Sequence, residues 1–127
     1  MMNIPAELRY SSDHEWVRVE GTTVTIGITE YAQDALGDVV FVEMPDQGLA
    51  VAAGETFSEV ESTKSVSDIY APMTGSIAEV NEALESQPEL LNSDPYGAGW
   101  ICRIEISDPS ELDGLMDAEA YRTLTEG

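Results

Sequence analysis

The sequence predicts a mainly β fold, a small barrel or sandwich edged by short helices. Three observations predict it. Apolar and polar residues alternate over short stretches, turn-forming Gly, Pro, Asp and Asn recur between them, and the helical patterns are brief. A chain of 127 residues, 43% of them hydrophobic, can bury a real core as one domain. The expected domain is 1–127, with a core over roughly 9–106 and a helical segment over 110–125.

The first strand is expected over 15–20, and Gly21 permits a tight turn into a second over 22–28. There Val24, Ile26 and Ile28 alternate with Thr23, Thr25 and Gly27, the pattern of a half-buried strand. Thr29 caps a short helix with Glu30 in its first turn. Tyr31, Ala32, Ala35 and Leu36 share one face of it, and Gly37 stops it. Residues 39–42 form a compact apolar strand. Turns follow at 44–48 and 53–55. Strands at 57–62 and 66–71 flank Lys64, and another runs over 75–80. Pro72 and Gly75 shape the return between them. Residues 81–92 read as a helical excursion interrupted at Pro88. Residues 94–99 read as a loop and 100–106 as a strand. Ser110 caps a helix start with Glu111 behind it. Asp117 begins a last helix packed through Tyr121 and Leu124.

Charge excludes several functions. Twenty-five acids oppose five bases, a formal charge of −20. Nucleic-acid phosphates and anionic membranes would repel this chain, so neither is an expected partner. Brief docking to basic protein surfaces suits it, as does plain solubility. Cys102 is the only cysteine, so no intrachain disulfide forms. Alternation puts it on the face of Ile104 and Ile106, as a buried structural thiol. One Cys and one His make no zinc cluster. No apolar run approaches the ~18 residues of a membrane span. Met1-Met2-Asn3-Ile4-Pro5 lacks the basic and apolar regions of a secretory leader, so a cytoplasmic location is expected, or the mitochondrial matrix for a processed eukaryotic chain.

Lys64 is the only lysine. A lone primary amine between two strands is a chemical handle, because acylation removes its charge and adds a group. At a hairpin tip its ammonium would project into water while its backbone is held at both ends. That geometry suits a carrier whose arm visits other active sites, since a rigid turn limits the entropy lost at each docking. Two other roles compete. One is a solvated lysine among Glu59, Glu61 and Asp68. The other is a Schiff-base lysine, which requires burial or a neighbouring cation and finds only acids here.

Several separated motifs stand in order along the chain. They include His14-Glu15-Trp16, then Gly27-Ile28-Thr29-Glu30-Tyr31-Ala32-Gln33, then Leu36-Gly37-Asp38-Val39-Val40-Phe41-Val42-Glu43. Next come Glu61-Ser62-Thr63-Lys64-Ser65-Val66-Ser67-Asp68-Ile69-Tyr70-Ala71-Pro72, Gly75, Val80-Asn81, Leu91-Asn92 and Pro95-Tyr96-Gly97-Ala98-Gly99-Trp100. Together they resemble the motifs of the H protein of the glycine cleavage system. Thr63 and Ser65 stand where Val and Ala are commoner in that family. Biotin carriers place Met on both sides of their lysine. The lipoyl domains of 2-oxoacid dehydrogenases lack the His-Glu-Trp and Pro-Tyr-Gly segments.

The resemblance implies a lipoyl-domain-like barrel-sandwich hybrid with lipoic acid amide-linked to Lys64. It implies a non-catalytic carrier of glycine catabolism. A pyridoxal-phosphate glycine decarboxylase (P protein) would pass it the aminomethyl group, and an aminomethyltransferase (T protein) would receive that group for one-carbon metabolism. Dihydrolipoamide dehydrogenase (L protein) would reoxidise the arm, and a lipoate ligase or lipoyl transferase would attach it. It implies a recognition role for Glu61, three residues before the lysine. It also brings the segment before Trp16 near the hairpin, so Asp13, Glu15 and Asp68 are candidates for a cleft that holds the arm. No catalytic or metal-binding residue is expected. His14 beside Glu15 is a weak catalytic signal, and Trp16 is expected in the core. The 94–99 loop lacks the spacing and following lysine of a phosphate loop and is expected to be a structural turn anchored by Trp100.

Overall fold

The computed structural model describes residues 4–126. Met1-Met2-Asn3, on which the expected lack of a leader partly rests, falls outside them. Among the described residues nine strands form two antiparallel sheets. The larger contains β1 (Arg9–Tyr10), β2 (Glu15–Glu20), β3 (Thr23–Ile28), β9 (Cys102–Ile106), β8 (Gly75–Val80) and β5 (Ala50–Val51), in that spatial order. The smaller contains β4 (Val39–Glu43), β6 (Thr56–Ser62) and β7 (Val66–Tyr70). The mainly β expectation holds.

The core lies between the sheets because alternation gives each an apolar inner face. Val24, Ile26 and Ile28 of β3 meet Val42, Val60 and Ile69 of the smaller sheet in one buried cluster. Cys102 belongs to it, and burial pushes its thiol up to about 12, far from a working nucleophile. A second cluster gathers Ile4, Leu8, Tyr10, Trp16, Ala118 and Tyr121. It docks the final helix, α4 (Ala118–Glu126), beside the β1 edge.

Trp16 and Gly27 are directly paired across β2 and β3. A Cβ on Gly27 would sit 2.7 Å from the indole. The missing side chain therefore lets Trp16 lie flat on the strand, where its Nε1–H donates to the Pro95 carbonyl at 2.8 Å.

The helix α1 (Glu30–Leu36) begins as expected, with the Thr29 hydroxyl accepting from the Ala32 amide. Gly37, at φ +83°, ends it. The 81–92 excursion is two single turns, α2 (Ala83–Ser86) and α3 (Leu90–Ser93).

Four expectations change. The helix start near 110 is a 3-10 helix, Pro109–Gly114, capped by Asp108 rather than Ser110, because the Asp108 carboxylate accepts from the Ser110 amide. Leu124 is 47% exposed, so α4 packs through Tyr121 and Ala118. Trp100 anchors the 94–99 turn through its amide, which donates to the Gly97 carbonyl, but it does not act alone: Asp94 accepts from the Ala98 amide, the Asn81 side chain donates to the Ala98 and Trp100 carbonyls, and Trp16 donates to the Pro95 carbonyl. Gly75 shapes no turn but lies in β8, where a Cβ would meet the Glu105 carbonyl of β9 at 2.1 Å.

Gly27→Ala should cost about 1–3 kcal/mol, because the new methyl must displace a fully buried indole. Urea denaturation reads this directly. An unchanged midpoint and slope would mean that the indole is free to shift.

Candidate functional site

β6 and β7 run antiparallel and are joined at 63–65, with Lys64 exposed in the turn. The turn is closed by a side chain. The Ser62 hydroxyl accepts from the Lys64 amide at 3.3 Å and the Ser65 amide at 3.1 Å, and donates to the Ser65 carbonyl. The Ser62 amide also donates to that carbonyl, at 2.8 Å. One hydroxyl thus satisfies two amides that the small turn leaves without backbone partners. Thr63 adds a tether, its amide donating to the Asp38 carbonyl just beyond α1. Sequence reasoning missed Ser62, although a serine two residues before the turn's centre was a usable sign.

The Lys64 stem lies over Gly37. A Cβ there would come within 3.3 Å of Cε, so glycine serves both the positive φ and the close approach. The lysine tip is thereby placed at the C-terminal end of α1.

A cavity of about 170 Å³ runs beside this helix. Ala32, Ala35, Leu36 and Ile69 give it an apolar wall, and Asp13, His14, Tyr31 and Asp68 close its polar end. α1 is seven residues long, so wall and lysine are separated by roughly 10 Å at most along the helix. His14 is held tightly. Its φ of +70° is rare for a non-glycine residue, and its ring packs at a tilt of 30° against Tyr31. Its Nδ1 shares a 2.7 Å hydrogen bond with the Tyr121 hydroxyl, which shares another with Thr29. Burial lowers the His14 pKa, with Asp13 opposing that shift.

The three candidate cleft acids separate. Asp13 and Asp68 line the cavity beside α1. Glu15 does not. It is 1% exposed and faces a different cavity of about 270 Å³, with Ser11, Ser12, Pro72 and Met116 around it. His14 precedes β2 with a left-handed backbone, φ +70°, and that kink aims its side chain at the α1 side while Glu15, the first residue of β2, faces the other cavity. Asp13 borders both cavities. The Glu15 carboxylate accepts from the Ser11 hydroxyl at 2.6 Å and from the Tyr70 backbone amide, two residues past Asp68. Burial nonetheless raises its pKa from 4.5 to about 7.

Glu61 is exposed on β6, opposite Val66 of β7 and Phe41 of β4. Among the described residues no group of His, Cys, Asp and Glu could hold a metal ion, and no helix is long and apolar enough to cross a membrane.

The profile of the glycine cleavage H-protein family matches residues 8–127. The glycine cleavage system H protein of Symbiobacterium thermophilum is 56% identical over 126 residues, covering 99% of this chain and 98% of that protein. That of Mycobacterium tuberculosis is 59% identical over 134 residues, covering 99% of this chain and all of its own. A crystal structure of a glycine cleavage system H protein from Mycobacterium marinum superposes with a TM-score of 0.90 at 42% identity, covering 98% of this chain and 100% of its own.

The raised Glu15 pKa has a consequence for stability. The native carboxyl holds its proton more tightly than the unfolded one, so stability is full below pH 4.5. It falls as pH rises toward 7 and is flat above. The loss is about 3 kcal/mol. Glu15→Gln, which cannot ionise, should remove that portion of the pH dependence. Urea denaturation of both proteins between pH 4 and 8 compares them, and parallel curves would place the ionisation elsewhere.

Proposed function

We propose a function from one premise: the chain belongs to the glycine cleavage H-protein family. It is a lipoyl carrier of the glycine cleavage system and a non-catalytic subunit. In our reading lipoic acid is joined as an amide to Lys64. When attached, the lipoyl group supplies a disulfide that takes up the aminomethyl unit of glycine and a dithiol that is reoxidised afterwards. The partners are the glycine decarboxylase, the aminomethyltransferase, dihydrolipoamide dehydrogenase and a lipoate ligase or lipoyl transferase. The cytoplasm is the proposed location, or the mitochondrial matrix for a processed eukaryotic chain.

The observation that carries this reading is the pairing of the sole lysine with a side-chain-locked turn beside an apolar cleft. The residues fit such an arm. Lys64 is the one side-chain primary amine, and it is exposed. Ser62 and Thr63 hold its backbone, so its reach is set by the arm alone. Ala32, Ala35, Leu36 and Ile69 offer methylenes a dry wall. Asp13 and Asp68 would hold a cationic cargo by charge-assisted hydrogen bonds, and the cavity would keep water from it. Glu15 would act from behind that wall, bonded to β7 through the Tyr70 amide. Glu61 would present its carboxylate to the attaching enzyme.

Intact mass and peptide mapping test the attachment. Lys64→Arg keeps the charge and should gain no lipoyl group, and a normally modified variant would rule out Lys64. Glu61→Ala should slow modification while the melting temperature holds, and unchanged kinetics would leave Glu61 as a solvated strand residue.

The cleft has its own test in the lipoylated protein. The ring protons of His14 and Tyr31 should shift on lipoylation, by NMR, and Asp68→Asn should reduce the shift once the arm carries its cationic cargo. Rings that are indifferent to the arm would show that it does not occupy this cavity.

A further inference from the structure

The 39–42 run, expected as a compact apolar strand, is only half buried. Val39 and Val42 face the core, while Val40 is 53% and Phe41 51% exposed. A bulge explains this. Val39 pairs with Ser62 and Phe41 with Glu61, so two steps along β4 match one along β6. Val40 is the extra residue, and Phe41 is re-aimed outward with it.

Directly opposed residues share a face of a sheet. Phe41 opposes Glu61, and Glu61 opposes Val66, which is 58% exposed. Half of the six large apolar side chains exposed among the described residues therefore crowd the base of the lysine turn. The next row on that face is Glu43, Glu59 and Asp68. Glu61 stands between Phe41 and Val66 in the first row, so the apolar side chains beside the only lysine are both interleaved with and bordered by carboxylates. That is the composition of a transient protein interface rather than of an idle surface.

We propose that Val40, Phe41 and Val66 form the docking surface for the enzyme that acylates Lys64, whose facing surface carries an apolar pocket ringed by arginine or lysine. This rests on the lipoylation reading and deepens it. Charge selects a basic partner, since the rim and the whole chain are acidic. Distance selects the acylating enzyme among such partners. To form an amide at Nζ it must approach within one lysine side chain of the turn, and these three residues lie at the turn's base. Enzymes that work at the end of an attached arm can stand further off. In the step served, a bond forms between Nζ and the acyl carbon of an activated acyl donor, an acyl adenylate or thioester. The bond from that carbon to its phosphate oxygen or sulfur breaks. Nζ sheds two protons in passing from ammonium to amide, and they go to the leaving group or to solvent.

The test is steady-state lipoylation of the full chain by a lipoate ligase with lipoate and ATP. Wild type is compared with Val66→Thr and with a triple variant carrying Val40→Thr, Phe41→Thr and Val66→Thr. The expected result is a KM for the carrier raised about tenfold in the triple variant and severalfold in Val66→Thr, with kcat little changed. Wild-type KM should also rise with salt as the acidic rim is screened. Val66→Thr is nearly isosteric at an exposed site, so it reports even if the triple variant fails to fold. A modified wild type with unchanged KM in Val66→Thr and in a folded triple variant overturns the docking surface and leaves Lys64 as the acceptor. A wild type that gains no lipoyl group overturns the acceptor and the docking surface together. Two further results overturn the proposal by assigning the patch elsewhere. One is a raised KM seen only with glycine decarboxylase and pre-lipoylated protein. The other is a wild-type dimer, by sedimentation, that the triple variant dissolves.

Discussion

Three segments far apart in the chain meet at the buried hydroxyl of Tyr121. It shares hydrogen bonds of 2.7 Å with Thr29 and with His14, and its ring stacks on Tyr10. Each contact fixes a different part of the site. Thr29 is the cap of α1, so the bond ties the cleft wall to the last helix. His14 closes the polar end of the cleft, and its left-handed backbone needs an outside restraint. Tyr10 belongs to the short edge strand that carries the chain into that loop. A hydroxyl 0% exposed with both partners in place is costly to disturb, because a lost partner leaves a buried polar atom unpaired. The last helix therefore does more than cover a hydrophobic edge. It holds the cleft's two walls at a fixed spacing, and the lysine turn hangs from one of them through Thr63 and Asp38.

Most of the scaffold was legible because it follows period-two patterning and local caps. β2, β3, β6, β7, β8 and α1 came from alternation, from glycine turns and from Thr29, all of which act over a few residues. The illegible parts depend on pairing. β1 and β5 are two residues each and exist only through their partners, Val17 and Trp16 for one and Gly75 and Ser76 for the other. The outward turn of Val40 and Phe41 comes from a register slip against β6, which no single segment encodes. Leu124 looked like packing surface because it is apolar, but α4 is anchored through Tyr121.

The site divides in the same way. Lys64 was conspicuous as the only lysine, and its turn was bracketed by two readable strands. Asp13 and Asp68 do line one cavity, where an N-terminal loop comes beside β7. Glu15 was grouped with them because the resemblance brings the segment before Trp16 to the hairpin, yet the left-handed kink at His14 leaves Glu15 facing the other cavity. Its neighbours Ser11 and the Tyr70 amide are long-range or side-chain-specific contacts. Ser62 escaped notice because its role is to replace a backbone carbonyl, and that is visible only once the turn is closed.

The charge distribution gains meaning from this geometry. The chain has one lysine, and acylating it removes one positive charge, taking the formal total from −20 to −21. The face around the turn already bears Glu43, Glu59, Glu61 and Asp68. Attachment therefore strengthens the attraction to any basic partner while removing the one local cation that opposes it. Long-range charge speeds encounters without making them tight, whereas a small apolar patch adds contact only after close approach. A carrier that must bind, hand over and leave is served by that combination. The rigid turn limits the ordering each encounter requires, and an arm attached to Lys64 would carry the motion outside the folded core.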